Sequence, residues 1–131
     1  MGNTANTNTT ISSTSATETG LQQAITPSAT SSKIIVLFSG HYSQNPNGGA
    51  HGPQVVVSLY RDNTHVKDFS YDYAAVTTVY NSHGFSISYL DTPSTTSAVT
   101  YKIRARLLYA SHQMRFNPSN YASWTVMEVA G

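Results

Sequence analysis

Residues 85 to 107 read FSISYLDTPSTTSAVTYKIRARL, and their spacing decides the fold class. Phe85, Ile87 and Tyr89 fall on one side of an extended segment, Ser86 and Ser88 on the other. After the polar interval DTPSTT, Tyr101, Ile103, Ala105 and Leu107 alternate with Lys102, Arg104 and Arg106. Period-two alternation marks a half-buried strand. Asp91 and Thr92 supply turn-forming side chains, and Pro93 fixes φ without a donor. The segment predicts two strands joined by a turn, with Asp91 as a turn residue.

The same reading extends outward. KIIVLFSG (33 to 40) reads as a strand buried on both faces, and QVVVSLY (54 to 60) as the next strand. Asp62–Asn63 fits a tight hairpin leading into THVKDF. AVTTVY (75 to 80) and FSISYL (85 to 90) are expected to form a second hairpin, with NSHG as its loop and Gly84 left-handed. TYKIRARLLY (100 to 109) and SWTVMEVA (123 to 130) follow, separated by ASHQMRFNPSNYA. HYSQNPNGGAHGP (41 to 53) is expected as a long loop, a length that usually goes with function. No segment carries a capped helical period. About eight short strands predict an all-β antiparallel sandwich, jelly-roll-like.

Residues 1 to 19 hold one charged residue, Glu18, and one aliphatic, Ile11. Such an arm cannot order itself alone, although its threonines suit an edge strand. The division expected is an extended Thr/Ser/Asn-rich arm over 1–19 and a β-sandwich domain over 20–131.

The 131 residues suit one domain, which buries roughly two-thirds of its unfolded surface. Charged residues are 10% of the chain, against about 25% in ordinary soluble domains. So uncharged a surface is poorly protected against association and points to life in an assembly. A net charge of +1 gives no argument for nucleic acid. No apolar run approaches the roughly 20 residues of a membrane span, so no insertion is expected. The N-terminus lacks the features of a secretory signal. With no cysteine, disulfides and thiolate metal sites are excluded.

Chemistry-bearing patterns are sparse. His41, His51, His65, His83 and His112 form no HxH or HExxH spacing. His41 and His51 bracket the long loop, but a metal would need a third ligand, such as symmetry-related histidines around a three-fold axis. No nucleophile turn appears. Asp68 and Asp72, beside Phe69, Tyr71 and Tyr73, are the one carboxylate pair that a glycosidase reading would use. No enzyme, cofactor or metal is expected. Lys102, Arg104 and Arg106 form a basic ladder suited to an acidic partner surface. Tyr42, Tyr71, Tyr73 and Tyr121 fall in or beside loops, where tyrosine favours protein or glycan recognition. Trp124, Val126 and Glu128 alternate with Thr125, Met127 and Val129, so both faces of that strand carry apolar residues. One face would meet the core and the other a neighbouring subunit.

The blocks GLQQAITPSATSSKIIV (20 to 36), LYRDNT (59 to 64), YLDTPSTTSAVTYKIRA (89 to 105) and SWTVMEVA (123 to 130) occur in an order and spacing that resembles the C-terminal domains of bacteriophage tail-fibre and tailspike-like proteins. The resemblance runs over about residues 9 to 130; His41 to Pro53 and Val66 to Tyr80 have no counterpart in it. It implies a homotrimeric β-sandwich on the outside of a phage virion, and it brings no catalytic residues. Fibre tips ordinarily follow an anchor and a shaft, whereas here only a short arm precedes the sandwich. The expectation is therefore a small stand-alone capsid decoration or cement protein that binds the major capsid protein. The alternative is a receptor-binding tip on a tail protein, recognising a host-surface glycan.

Under the first reading, the candidate capsid contacts are Asn3, Thr7, Thr9, Ile11, Lys102, Arg104 and Arg106. The candidate outward recognition loops hold His41, Tyr42, Asn45, Asn47, His51, Tyr71 and Tyr73. Trp124, Val126 and Met127 are the candidate trimer interface. Deleting residues 2 to 19 is expected to leave a folded trimer with impaired capsid binding.

Overall fold

The computed structural model describes residues 9–45, 54–73, 81–109, 113–116 and 122–131. Among the described residues the strands are β1 (Thr9–Ile11), β2 (Thr17–Ile25), β3 (Lys33–Asn45), β4 (Gln54–Arg61), β5 (Thr64–Tyr73), β6 (Asn81–Asp91), β7 (Val99–Leu107), β8 (Gln113–Phe116) and β9 (Ser123–Val129). They form two antiparallel sheets. One runs β1-β8-β3-β6, and β9 also pairs with β3; the other runs β2-β7-β4-β5. Because β6 lines one edge of β3 from Ile34 to Gln44, β8 and β9 share its opposite edge.

The pairings β1–β8, β2–β7, β3–β6 and β4–β5 nest within one another. One long hairpin, tipped at Asp62–Asn63 and folded over on itself, generates this order, which is that of a jelly roll. The expected sandwich is what the chain forms.

Alternation builds the core. β7 buries Val99, Tyr101, Ile103, Ala105 and Leu107 while turning Thr100, Lys102, Arg104 and Arg106 outward. Opposite it, β3 buries Ile34, Val36, Phe38 and Tyr42. Each large aliphatic so buried contributes roughly 1.5–3 kcal/mol. Phe38 packs edge-on to Trp124 at 5.2 Å and tilted against Phe85 at 5.3 Å. Gly40 leaves room for that ring: a Cβ there would lie 2.7 Å from Phe38 Cζ.

Several expectations are corrected. The two strands expected within residues 85 to 107 are β6 and β7, but Asp91, expected in the turn, ends β6, and because β6 joins the β3 sheet and β7 the other, DTPSTT crosses between sheets. Each strand buries one face against the opposite sheet, and alternation alone cannot distinguish this from a hairpin. Asn81–Gly84 is strand rather than loop, paired with Gln44–His41, and among the described residues those with left-handed φ are Gly20, Asp62 and Ser94. AVTTVY lies outside the described residues. KIIVLFSG is buried on one face only, since Leu37 on the other is 38% exposed. β3 runs on to Asn45, which takes His41 and Tyr42 out of the expected loop. Gln113–Phe116, expected within a connection, is β8.

The boundary at residue 19 does not separate an arm from a domain. Ile11 is fully buried, and β1 pairs with β8. Leu107 N–H donates to Ser13 O at 2.9 Å. Thr19, also buried, donates through Oγ1 to Ile103 O at 2.8 Å across a bulge in β2 that contains Gly20 at φ 81°. Gly20 accepts that left-handed conformation without a steric penalty.

Candidate functional site

The two outer faces of the sandwich differ in chemistry. On the β2-β7-β4-β5 sheet, the outward side chains of β7 meet Glu18 of β2. Lys102 Nζ donates to Glu18 Oε1 at 3.1 Å and Arg104 Nη2 at 3.0 Å. These bonds, that from Lys102 first, hold the Glu18 carboxyl below the usual carboxylate range. Arg104 also donates to Asn63 Oδ1 at 3.1 Å and lies 4.4 Å from the centre of the Tyr60 ring. The expected basic ladder is therefore partly neutralised within its own chain, because the lone acid of the N-terminal segment folds onto it.

A second cluster lies beside it. Ser58 Oγ donates to Asp68 Oδ1 at 2.5 Å, and His65 Nε2 donates to the same oxygen at 2.8 Å. The Ser58 bond first, then His65, holds Asp68 below its ordinary range. His65 stands edge-on to Tyr60 at 5.3 Å. Both donors point at the carboxylate, so His65 is not placed to take the Ser58 proton. This is not the geometry of an activated nucleophile. Among the described residues no group of three or more His, Asp or Glu side chains converges on a metal position.

The outer face of the β3 sheet carries no such network. Register places Leu90, Ile35 and Met127 in one row across β6, β3 and β9. Ser88, Leu37 and Thr125 form the next row, and Ser86, Ser39 and Ser123 the third. With strands about 4.8 Å apart and same-face residues about 6.8 Å apart, the grid measures roughly 10 by 14 Å. None of these nine positions is charged. Leu90 is 52% exposed and Met127 44%, with Val129 just beyond. Solvent-facing sides of antiparallel sheets normally read polar, and contiguous exposed apolar groups mark contact surfaces.

The remaining candidates fall as follows. Ile11 is core and cannot be a free capsid contact, because its side chain fills the space beside Met114 and Phe116. Thr9 lies in β1, and its Oγ1 donates to Thr19 O at 2.9 Å. Tyr42 is 2% exposed, since position 42 is on the inner face of β3, and it cannot serve in an outward loop. His41 is half-buried on β3. Asn45, Tyr71 and Tyr73 lie in strands β3 and β5. Asn3, Thr7, Asn47 and His51 lie outside the described residues. Trp124 belongs to this chain's own core and Val126, partly buried, packs against it, whereas Met127 projects outward, so the expected interface trio is split between the faces. The sequence reading missed Ile35, Leu37 and Leu90 as surface residues; only the register across β6, β3 and β9 brings them beside Met127.

No protein-family model matches the chain, and no curated protein matches it.

Proposed function

We propose that the chain is a non-enzymatic virion structural protein, a capsid decoration protein on a jelly-roll fold of the tail-fibre-tip kind. The observation that carries this reading is the uncharged grid of Leu90, Ile35, Met127, Leu37 and their serine and threonine neighbours on the outer face of the β3 sheet. A small face that is apolar at one end and hydroxyl-lined at the other suits docking on a shell built of repeated copies. There, multivalency turns weak contacts into firm attachment. The low charge of the whole chain fits a protein that works inside an assembly. Quantitative gels or cryo-microscopy of purified virions test the reading. Hundreds of copies per particle are expected, and a few copies at the tail would replace decoration with the tail-tip reading.

That second reading has its own support. Tyr60, His65, Arg104 and Asn63 place planar rings and hydrogen-bond donors together on the other outer face, a chemistry that sugars use. Binding of the intact protein on an array of host-surface glycans is the expected result if the chain is a receptor-binding tip.

A further inference from the structure

A jelly roll leaves strand edges open, and soluble proteins defend them. The edge strands here differ in that respect. β5 carries two register shifts against β4 and presents Lys67 and Asp68. β2 carries the bulge between Glu18 and Gln22 and is followed by Pro27. β1 is only 3 residues long. Alongside β9, Ser28 N–H and Oγ reach Glu128 Oε1 at 2.6 and 2.7 Å, which lays the segment after β2 against that strand.

β6 has none of these defences. It runs 11 residues, NSHGFSISYLD, in unbroken register with β3 from Asp91 to Asn81. It contains no proline, lysine, arginine or glutamate, and its single acid, Asp91, is turned into the sandwich, bonded to Arg61 and Tyr101. Among the described residues β6 pairs with β3 alone. Alternate residues along it therefore direct N–H and C=O away from β3, toward no strand among the described residues.

We infer that this open edge of β6 pairs antiparallel with β6 of a second copy. The strand supplies its own partner: about a two-fold axis, a strand meets its copy antiparallel, and every outward donor finds an acceptor. The outward side chains nearest the edge are Ser82, Gly84, Ser86, Ser88 and Leu90, so two identical copies approach without like charges opposed. Pairing also joins the two outer faces into one sheet surface and doubles the uncharged grid. The inference goes beyond the decoration reading, since it concerns how two chains meet and not what they meet. Two-fold pairing competes with the three-fold assembly that the family resemblance implies.

Sedimentation equilibrium of the full chain, with Ser86→Lys/Ser88→Lys as the variant, tests it. Both positions are exposed, so the variant is expected to fold and melt as the wild type does. The wild type is expected to show twice the 14.2 kDa chain mass, and the variant at least about a tenfold weaker dimer from opposed lysines. A trimeric mass, a wild type that stays monomeric at every concentration, or an undiminished variant dimer overturns the inference. Amide hydrogen exchange supplies a second readout that does not depend on the variant. Protection of alternate β6 amides should rise with protein concentration; protection independent of concentration means that the chain covers its own edge, and defeats the proposal.

Discussion

Tyr101 Oη donates a 2.6 Å hydrogen bond to Asp91 Oδ2, joining β7 of one sheet to the end of β6 in the other. Arg61 Nη1 reaches the same carboxylate oxygen at 2.7 Å, so one acid ties three strands together. Burial, and then the bond to Asp91, raises the Tyr101 phenol well above its ordinary range. The hydroxyl therefore stays protonated, and a donor, around neutral pH. Tyr101→Phe is expected to cost about 1.5–3 kcal/mol, the range for a hydrogen bond to a charged group. Asp91→Ala strands Arg61 as well and is expected to cost about 3–5 kcal/mol. Urea denaturation of both variants checks the order.

Two glycines in adjacent rows of the β3–β6 ladder, Gly40 opposite Phe85 and Gly84 opposite His41, should respond differently. Gly40→Ala pushes a methyl against the Phe38 ring, which Trp124 and Phe85 confine, and should destabilise by about 1–3 kcal/mol. At Gly84 the nearest atom to a new Cβ is Gly40 O at 3.9 Å, so Gly84→Ala should be neutral or slightly stabilising. Thermal melts, with Trp124 fluorescence reporting the core, separate the two.

Acid should loosen the face that carries β7's basic residues. Glu18 and Asp68 both have folded pKa values below their ordinary 4.5 and 3.8. The stabilisation they give is complete above those ordinary values and is lost as pH falls through the lowered ones. Their side chains are 54% and 52% exposed, so each contributes no more than about 1 kcal/mol. Glu18→Gln should lower the neutral-pH stability by up to about 1 kcal/mol and flatten the stability curve below about pH 4.5, where variant and wild type converge.

The N-terminal segment should prove indispensable from Thr9 onward. Ile11→Ala opens a cavity beside Met114 and Phe116 and is expected to cost about 2–5 kcal/mol. Deleting residues 2–19 removes β1 and part of β2, so a loss of folding, visible in circular dichroism, is expected in place of the folded trimer that the family resemblance implies. Deleting residues 2–8 leaves every described strand in place and should keep the melting temperature.

Leu90→Ser with Met127→Ser should separate stability from attachment. Both side chains are substantially exposed, so the double variant should stay within about 0.5 kcal/mol of the wild type. If the β3-sheet face is the docking surface, particle occupancy should drop at least tenfold in quantitative gels.

Much of the fold was legible in the sequence because alternation reports burial directly. The alternation from Tyr101 to Leu107 reads correctly, although β7 runs from Val99 to Leu107 where the pattern suggests 100 to 109. The partner of a strand is not encoded in its own pattern, so the alternation of β6 and β7 does not show that they belong to different sheets. The N-terminal segment offered a finer clue. Its one aliphatic, Ile11, enters the core, and its one acid, Glu18, clasps Lys102 and Arg104. Composition averaged over the segment hides two residues that settle where it goes. The outer grid was illegible for a similar reason, since Ile35, Leu90 and Met127 are distant in sequence and meet only through register.

The nested pairing also dictates when this protein can exist as a folded object. None of β1 to β4 pairs with another of those four strands; their partners are β5 to β9. Among the described residues, a chain growing from its N-terminus therefore has no ladder to form until Thr64 follows the Asp62–Asn63 turn. From that tip, closure runs outward through β3–β6, β2–β7 and β1–β8, each step joining residues farther apart along the chain, with the slow closure such distances bring. β9, the last of the described strands, lies against β3. On the ribosome the first half of the molecule waits unpaired for the second, and a chain stopped short of Ser123 would leave Lys33 to Ser39 with one open edge.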